Sequence, residues 1–168
     1  MKKKTFSLLL FILVMVNAKS QEVAPMLPTV FNQSYPFNAY CPGGSAAGCG
    51  PIAIAQILTK YKAPSSSVGS ASYVYDKKTI DVNLDGITFD WNNIRNEYSE
   101  GKYDSIEAKA VAELVYACGA AMNVTYGDST SVTNYARMLF GLQHNMHMSV
   151  RKSGGKYGNV HPPRLTLL

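Results

Sequence analysis

The run Pro51-Ile52-Ala53-Ile54-Ala55-Gln56-Ile57-Leu58 constrains this chain more than any other segment, because as a helix it is apolar on almost every side. A helix without a polar face belongs inside a protein, so this one is expected to run through the middle of the domain. Pro51 suits the first turn, where its missing N–H costs nothing. The helix should end near Lys60 and Tyr61, ahead of Pro64 and the Ser65-Ser66-Ser67 loop. With 168 residues, 46% of them apolar, the chain is long enough to build one core around that helix, and a single domain is expected.

The segment before the helix, Gln21 to Ser45, is rich in Pro, Asn, Gly and aromatics without a sustained period, and reads as an extended stretch draped over the domain. After the helix, Ile80, Val82 and Leu84 alternate, Asp85-Gly86 intervenes, and Ile87, Phe89 and Trp91 alternate again; the pattern predicts a hairpin turning at Asp85-Gly86. Asp104 with Glu107 three residues on predicts a capped second helix, its stripe Val111, Leu114, Val115 and Cys118, with Gly119 closing it. A third helix is expected from about Ser131 to Phe140, with Val132, Tyr135, Ala136 and Leu139 on one face and Gly141 after it. Residues 151–168 carry Ser153-Gly154-Gly155, Gly158, Pro162 and Pro163 with no usable period, and read as a poorly ordered tail. Helices plus a hairpin, without alternating βαβ units, make the class α+β.

Lys2, Lys3 and Lys4, the apolar run Phe6 to Val16 and the small residue Ala18 form a secretory signal over residues 1–18, leaving 19–150 as the domain. The run is shorter than the roughly 20 apolar residues a membrane span needs. A secreted, periplasmic or cell-surface location follows, with no membrane attachment after cleavage. Removing residues 1–18 takes away three lysines and no acid, lowering the formal charge from +5 to +2, so charge implies no nucleic-acid partner.

Three cysteines, Cys41, Cys49 and Cys118, remain, and an odd number in an exported chain leaves at least one thiol unpaired. Neither a CxxC pair nor a cysteine–histidine cluster at zinc-like spacing is present, so no metal or cofactor is expected. Within Ala47-Gly48-Cys49-Gly50-Pro51 the thiol sits at the mouth of the buried helix, where unsatisfied N–H groups and the helix dipole favour a thiolate, and the flanking glycines admit a close substrate backbone. On the local pattern alone a nucleophile and an ordinary buried or disulfide-bonded cysteine both remain open. Cys118 reads as a core residue of its stripe or as a partner for Cys41. Asp81-Val82-Asn83-Leu84-Asp85-Gly86 opens like a calcium loop, but its twelfth position is Asn92, and the hairpin explains the same residues better. Asn32-Gln33-Ser34 and Asn123-Val124-Thr125 fit the short glycosylation pattern, which carries no weight here.

The order Phe31-Asn32-Gln33-Ser34-Tyr35-Pro36-Phe37-Asn38, then Cys41-Pro42, then Gly48-Cys49 followed by Ala55-Gln56-Ile57-Leu58, resembles the opening of the mature domain in the streptopain family of papain-like cysteine peptidases. Asp90-Trp91-Asn92-Asn93-Ile94, Ala112-Glu113-Leu114 and Tyr126-Gly127 continue it in the same order, over roughly Val23 to Met146. The resemblance implies that Cys49 is the nucleophile and that Gln33, sixteen positions earlier, supplies a side-chain amide to the oxyanion hole beside the Cys49 backbone N–H. Acyl transfer needs both parts: a thiolate to attack and preorganised donors where the tetrahedral oxygen becomes charged.

The same resemblance implies a general-base histidine in a later Gly-Gly-His-Ala-like segment and an Asn-Trp-Gly-Trp-Gly motif to orient it, and neither occurs. The single tryptophan is Trp91, and His144, His147 and His161 lie elsewhere, each read most simply as a loop or surface residue. The expected architecture is therefore the helix-rich half of a papain-like fold with a hairpin, lacking most of the sheet-rich half and ending like a truncated or frame-shifted reading. By resemblance the chain descends from a secreted cysteine endopeptidase acting on protein or peptide substrates, inactive alone unless a separate chain supplies the missing half. The alternative is a non-catalytic binding or inhibitory protein, or a gene fragment.

Overall fold

The computed structural model describes residues 24–75, 77–127, 130–152 and 158–161. The expected signal segment lies outside them, as do residues 153–157 and 162–168 of the expected tail. Helix α1 spans Cys49–Tyr61 and buries Ile52, Ile54, Ala55 and Leu58. Its C-terminus closes on Lys62, whose left-handed conformation (φ 48°) turns the N–H back to the carbonyls of Leu58 and Thr59. Between its two ends only Ala53 and Lys60 are exposed. Gln56, the polar residue in the apolar run, is half-buried, and its Oε1 accepts from Thr29 Oγ1 at 3.2 Å and from the Phe31 N–H at 3.4 Å. One side-chain amide thus ties the extended N-terminal segment to the central helix, and Val30 continues that segment into a bridge with Glu97.

Helix α2, Ser105–Ala121, packs against α1. Asp104 Oδ1 accepts from the N–H groups of Ile106 and Glu107, and Glu107 Oε2 accepts from the Asp104 N–H, each at 2.9 Å. This is the expected capping box, and such a cap contributes about 0.5–2 kcal/mol. Val111, Leu114, Val115 and Cys118 all lie in the core with Leu58, Phe37 and Leu84. Each large aliphatic side chain buried this way contributes roughly 1.5–3 kcal/mol. Gly119 does not end the helix. It sits inside α2 where a Cβ would overlap the Tyr126 hydroxyl, so its glycine makes room for a neighbour and the helix runs on to Ala121.

The hairpin is real but differently paired. Strands β1, Ser70–Tyr75, and β2, Lys78–Asn83, run antiparallel in the register Ser70↔Asn83 to Tyr75↔Lys78. The turn at Asp85-Gly86 instead folds back onto the start of β1. Asp85 Oδ1 accepts from the Gly69 N–H at 2.6 Å, Asn83 Oδ1 accepts from the Asp85 N–H at 3.0 Å, and Ser67 Oγ donates to the Leu84 carbonyl at 2.8 Å. Residues 87–89 then pair with 65–67 through the bonds Ser67 N–H to Ile87 O and Phe89 N–H to Ser65 O. Ala71-Ser72-Tyr73-Val74-Tyr75 is itself an aromatic, β-branched run suited to a strand, and it pairs with β2 from the other side.

Helix α3 spans Tyr135–His144, shifted from the expected Ser131 start because Asn134 caps it by accepting the Arg137 N–H at 3.0 Å. Ser131 to Thr133 remain extended, with Val132 exchanging both backbone hydrogen bonds with Thr125 at 2.9 Å. The expected apolar face also differs: Gly141 and Leu142 are buried while Tyr135 and Phe140 are more than half exposed. Gly141 lies inside α3, where a Cβ would stand 2.7 Å from the Ala121 carbonyl oxygen, so it permits α3 to meet the end of α2. Beyond it, Ser149–Lys152 (β3) and Gly158–His161 (β4) pair antiparallel, giving regular backbone to a stretch expected to have none. Among the described residues no helix is long and apolar enough to cross a membrane.

The Gly119 contact makes a stability prediction. Gly119→Ala should cost about 1–3 kcal/mol, the usual penalty of overpacking, read as a lower urea midpoint. Adding Tyr126→Phe, which removes the clashing oxygen, should recover part of that loss.

Candidate active site

The chain reaches α1 through a sharp corner at Gly48, which holds φ 91° and ψ 141°, a conformation that favours glycine. Cys49 is the first residue of the helix and is exposed, whereas Gly48 and Gly50 on either side are buried. Gly48 has no side chain to cap the helix, and Pro51 has no N–H, so the orphan donors of this helix start are reduced to the N–H groups of Cys49 and Gly50. The N–H of Ile52 already donates to the Gly48 carbonyl at 3.2 Å. The helix therefore presents its first N–H beside an exposed sulfur. Gly50 is required by its surroundings, since a Cβ there would stand 2.6 Å from Thr133 Cγ2.

Gln33 meets this corner twice. Its backbone carbonyl accepts the Ala47 N–H at 3.0 Å and its side-chain Oε1 accepts the Gly48 N–H at 3.1 Å. Because the carbonyl end of the amide is bound to Gly48, the NH2 end is the end left to donate elsewhere. Gln33 is exposed, so that donor faces the same solvent as Cys49. The two residues singled out in the sequence are thus neighbours across one peptide unit.

His144, at the end of α3, stacks on the Phe140 ring with centroids 4.0 Å apart and places Nδ1 3.0 Å from the Phe140 carbonyl. His147 is exposed on a backbone with φ 46°, and His161 lies on β4 opposite Ser149. Among the described side chains no hydrogen bond joins a histidine to Cys49. Trp91 serves the fold, donating from Nε1 to the Pro64 carbonyl at 2.9 Å and leaning on Phe89. Two concavities are lined by other residues: one of about 400 Å³ between Tyr40, Ile87, Glu113 and Tyr116, and one of about 330 Å³ between Ala121, Asn123, Ala136, Arg137 and Phe140.

All three cysteines are free, so Cys41 and Cys118 do not pair. Burial pushes the Cys41 thiol up to about 11, with the hydrogen bond from Tyr126 pulling the other way. Burial alone raises Cys118 still further. The two inert thiols are the ones inside, and the exposed one stands at the helix mouth. The wall opposite this corner, Ser131 to Thr133, is not visible in the sequence, because its apolar spacing continues that of the third helix. Its pairing signal was the alternation of Ser131, Val132 and Thr133 facing Thr125.

The model of the peptidase C10 family matches residues 31–160 of the chain, past the point near Met146 where the sequence resemblance ended. The chain belongs to the peptidase C10 family. Streptopain of Streptococcus pyogenes is 23% identical over 137 residues, covering 68% of this chain and 34% of the relative. The structure of the cysteine protease interpain A of Prevotella intermedia is similar at a TM-score of 0.69 and 28% identity, over 80% of this chain and 61% of that one. A prointerpain A fragment from the same organism is similar at a TM-score of 0.64 and 26% identity, over 82% of this chain and 50% of that one. The α+β arrangement is accordingly that of a papain-like cysteine peptidase in part, since the chain spans about a third of the length of the curated relatives it matches.

The contrast between exposed and buried thiols can be read chemically. In the folded chain at about pH 8 a chromogenic disulfide reagent should titrate one thiol, three after denaturation and none in folded Cys49→Ala. Because the Cys41 thiol is held protonated from its ordinary 9.0 to about 11, the unfolded chain ionises first. Its contribution to stability is present in full below about 9 and is lost as pH rises toward about 11, which denaturant midpoints across that window would register.

Proposed function

We propose that this chain carries the nucleophile-bearing part of an exported cysteine-type endopeptidase, with Cys49 attacking the peptide carbonyl. The supporting observation is the clasp between Gln33 Oε1 and the N–H of Gly48, the residue before the exposed Cys49, which leaves the Gln33 NH2 and the Cys49 N–H as the two donors this reading uses. In the reaction, the thiolate adds to the carbonyl carbon and the oxygen gains charge where these two donors can accept it. The leaving amine then needs a proton, and among the described side chains no imidazole that would carry it is bonded to Cys49. On this reading the described side chains supply a nucleophile and oxyanion donors with no base bonded to them, and the substrates of the complete machinery would be proteins or peptides.

A second reading, a binding or inhibitory protein that keeps part of the fold, draws on the engagement of His144 with Phe140, on which it stacks. In this reading the 1–18 segment still exports the chain, and the Cys49 corner is a relic.

Treating the purified chain with an epoxide-type cysteine-peptidase probe separates the two. The proposal expects labelling of the native chain, none of Cys49→Ala, and slower labelling of Gln33→Ala; in peptide hydrolysis the loss of one oxyanion donor usually costs roughly 10²–10³-fold. It also expects casein hydrolysis on the order of a millionfold below that of an intact nucleophile and base, by analogy with a serine protease. A folded chain that ignores the probe would favour the binding reading, and brisk casein hydrolysis would refute the missing base.

A further inference from the structure

The corner that presents Cys49 is held from two sides, and only one of them is Gln33. On the other side stands Ser131, 3% exposed and distant in sequence. Its Oγ donates to the Ala46 carbonyl at 2.6 Å and accepts the Gly127 N–H at 3.3 Å, so both functions of the hydroxyl are used. Its Cβ and carbonyl oxygen would each lie 3.2 Å from a Cβ at Gly48, which places the residue directly against the corner. The segment carrying it is itself fixed, by the paired backbone bonds of Val132 and Thr125 and by Thr133 Oγ1 donating to the Met122 carbonyl at 2.9 Å. Residues 46–48 consequently sit between two fixed walls, one reached through Gln33 and one through Ser131.

From this arrangement we infer that Ser131 is a positioning residue for the nucleophile: through Ala46 it sets the rotation of the peptide units at 46–48, and so the direction of the Cys49 N–H. The inference rests on the reading of Cys49 as the nucleophile. Removing the hydroxyl leaves a carbonyl without its donor and an N–H without its acceptor, and the corner is then held from the Gln33 side alone, by its two hydrogen bonds to Ala47 and Gly48. An N–H that swings by a fraction of its hydrogen-bond cone no longer points where an oxyanion forms, although the sulfur stays exposed and free to react with small electrophiles. Geometry of this kind affects reactions that need the donor and spares those that do not.

The test uses Ser131→Ala, Ser131→Thr, which keeps the hydroxyl, and Thr59→Ala, which removes another buried hydroxyl, bonded to the Ala55 carbonyl at 2.8 Å, from the far end of α1. Amide hydrogen exchange over residues 46–50 reads the corner whether or not Cys49 attacks anything. Alkylation of Cys49 by iodoacetamide and by the peptidyl epoxide reads the chemistry. Expected for Ser131→Ala are exchange at Ala47 and Gly48 faster by about tenfold or more and epoxide labelling slower by a similar factor, with iodoacetamide alkylation within about twofold of native. Ser131→Thr should restore protection, and Thr59→Ala should leave the corner unchanged. Unaltered exchange in Ser131→Ala, or an equal rise in Thr59→Ala, would overturn the inference. Faster exchange in Ser131→Ala with no epoxide labelling of the native chain would uphold the positioning role while refuting the nucleophile.

Discussion

The structure depends on burying a helix that has almost no polar side while keeping its first residue in water. Helix α1 meets the first demand by packing against α2 and burying Ile54, Ala55 and Leu58 in the same core cluster as Leu84 and Phe89. The second demand falls on a single glycine corner. Gly48 turns the chain so that Cys49 emerges at the helix mouth, and the neighbours of that corner hold it: Gln33 through two hydrogen bonds, Ser131 through one, and Thr133 by filling the space that a side chain on Gly50 would need. The same apolar burial that stabilises the domain thus fixes the axis along which the thiol is presented.

The functional logic runs through the supply of donors. A helix start normally offers four N–H groups, and here Pro51 lacks one, the Gly48 N–H is spent on Gln33 Oε1, and Gly48 contributes no side-chain cap. What remains points outward at Cys49 and Gly50. Gln33 adds a side-chain amide whose oxygen is occupied, leaving its nitrogen to donate. On the proposed reading this is half of the chemistry of acyl transfer. The remaining half, a base and its orienting group, is not among the hydrogen bonds of the described site; His144 stacks on Phe140 and Trp91 is bonded to Pro64.

The parts of the fold that were legible in the sequence are those written in one continuous signal. The capping box at Asp104 and Glu107, the stripe on α2 and the all-round apolar α1 each combine a local cap or period with burial, and the structure follows them. Pairing was less legible because β2 had two suitable partners, and the Asp85 side chain accepts the Gly69 N–H instead of closing a forward hairpin. Glycines misled for a related reason: Gly119 and Gly141 look like helix stops but are inside helices, admitting the Tyr126 hydroxyl and the Ala121 carbonyl. At the site, the order of motifs singled out Cys49 and Gln33, whereas Ser131 was hidden because its role depends on a bond across the chain to Ala46 that no local pattern announces.

The most direct test of this account is a crystal structure of the chain from Ala24 onward, refined with the cysteines reduced. It should show Cys49 exposed at the head of the central helix with Gln33 Oε1 near 3.1 Å from the Gly48 nitrogen. A Gln33 side chain turned away from Gly48, or a Cys49 sulfur buried or joined to Cys41, would contradict it.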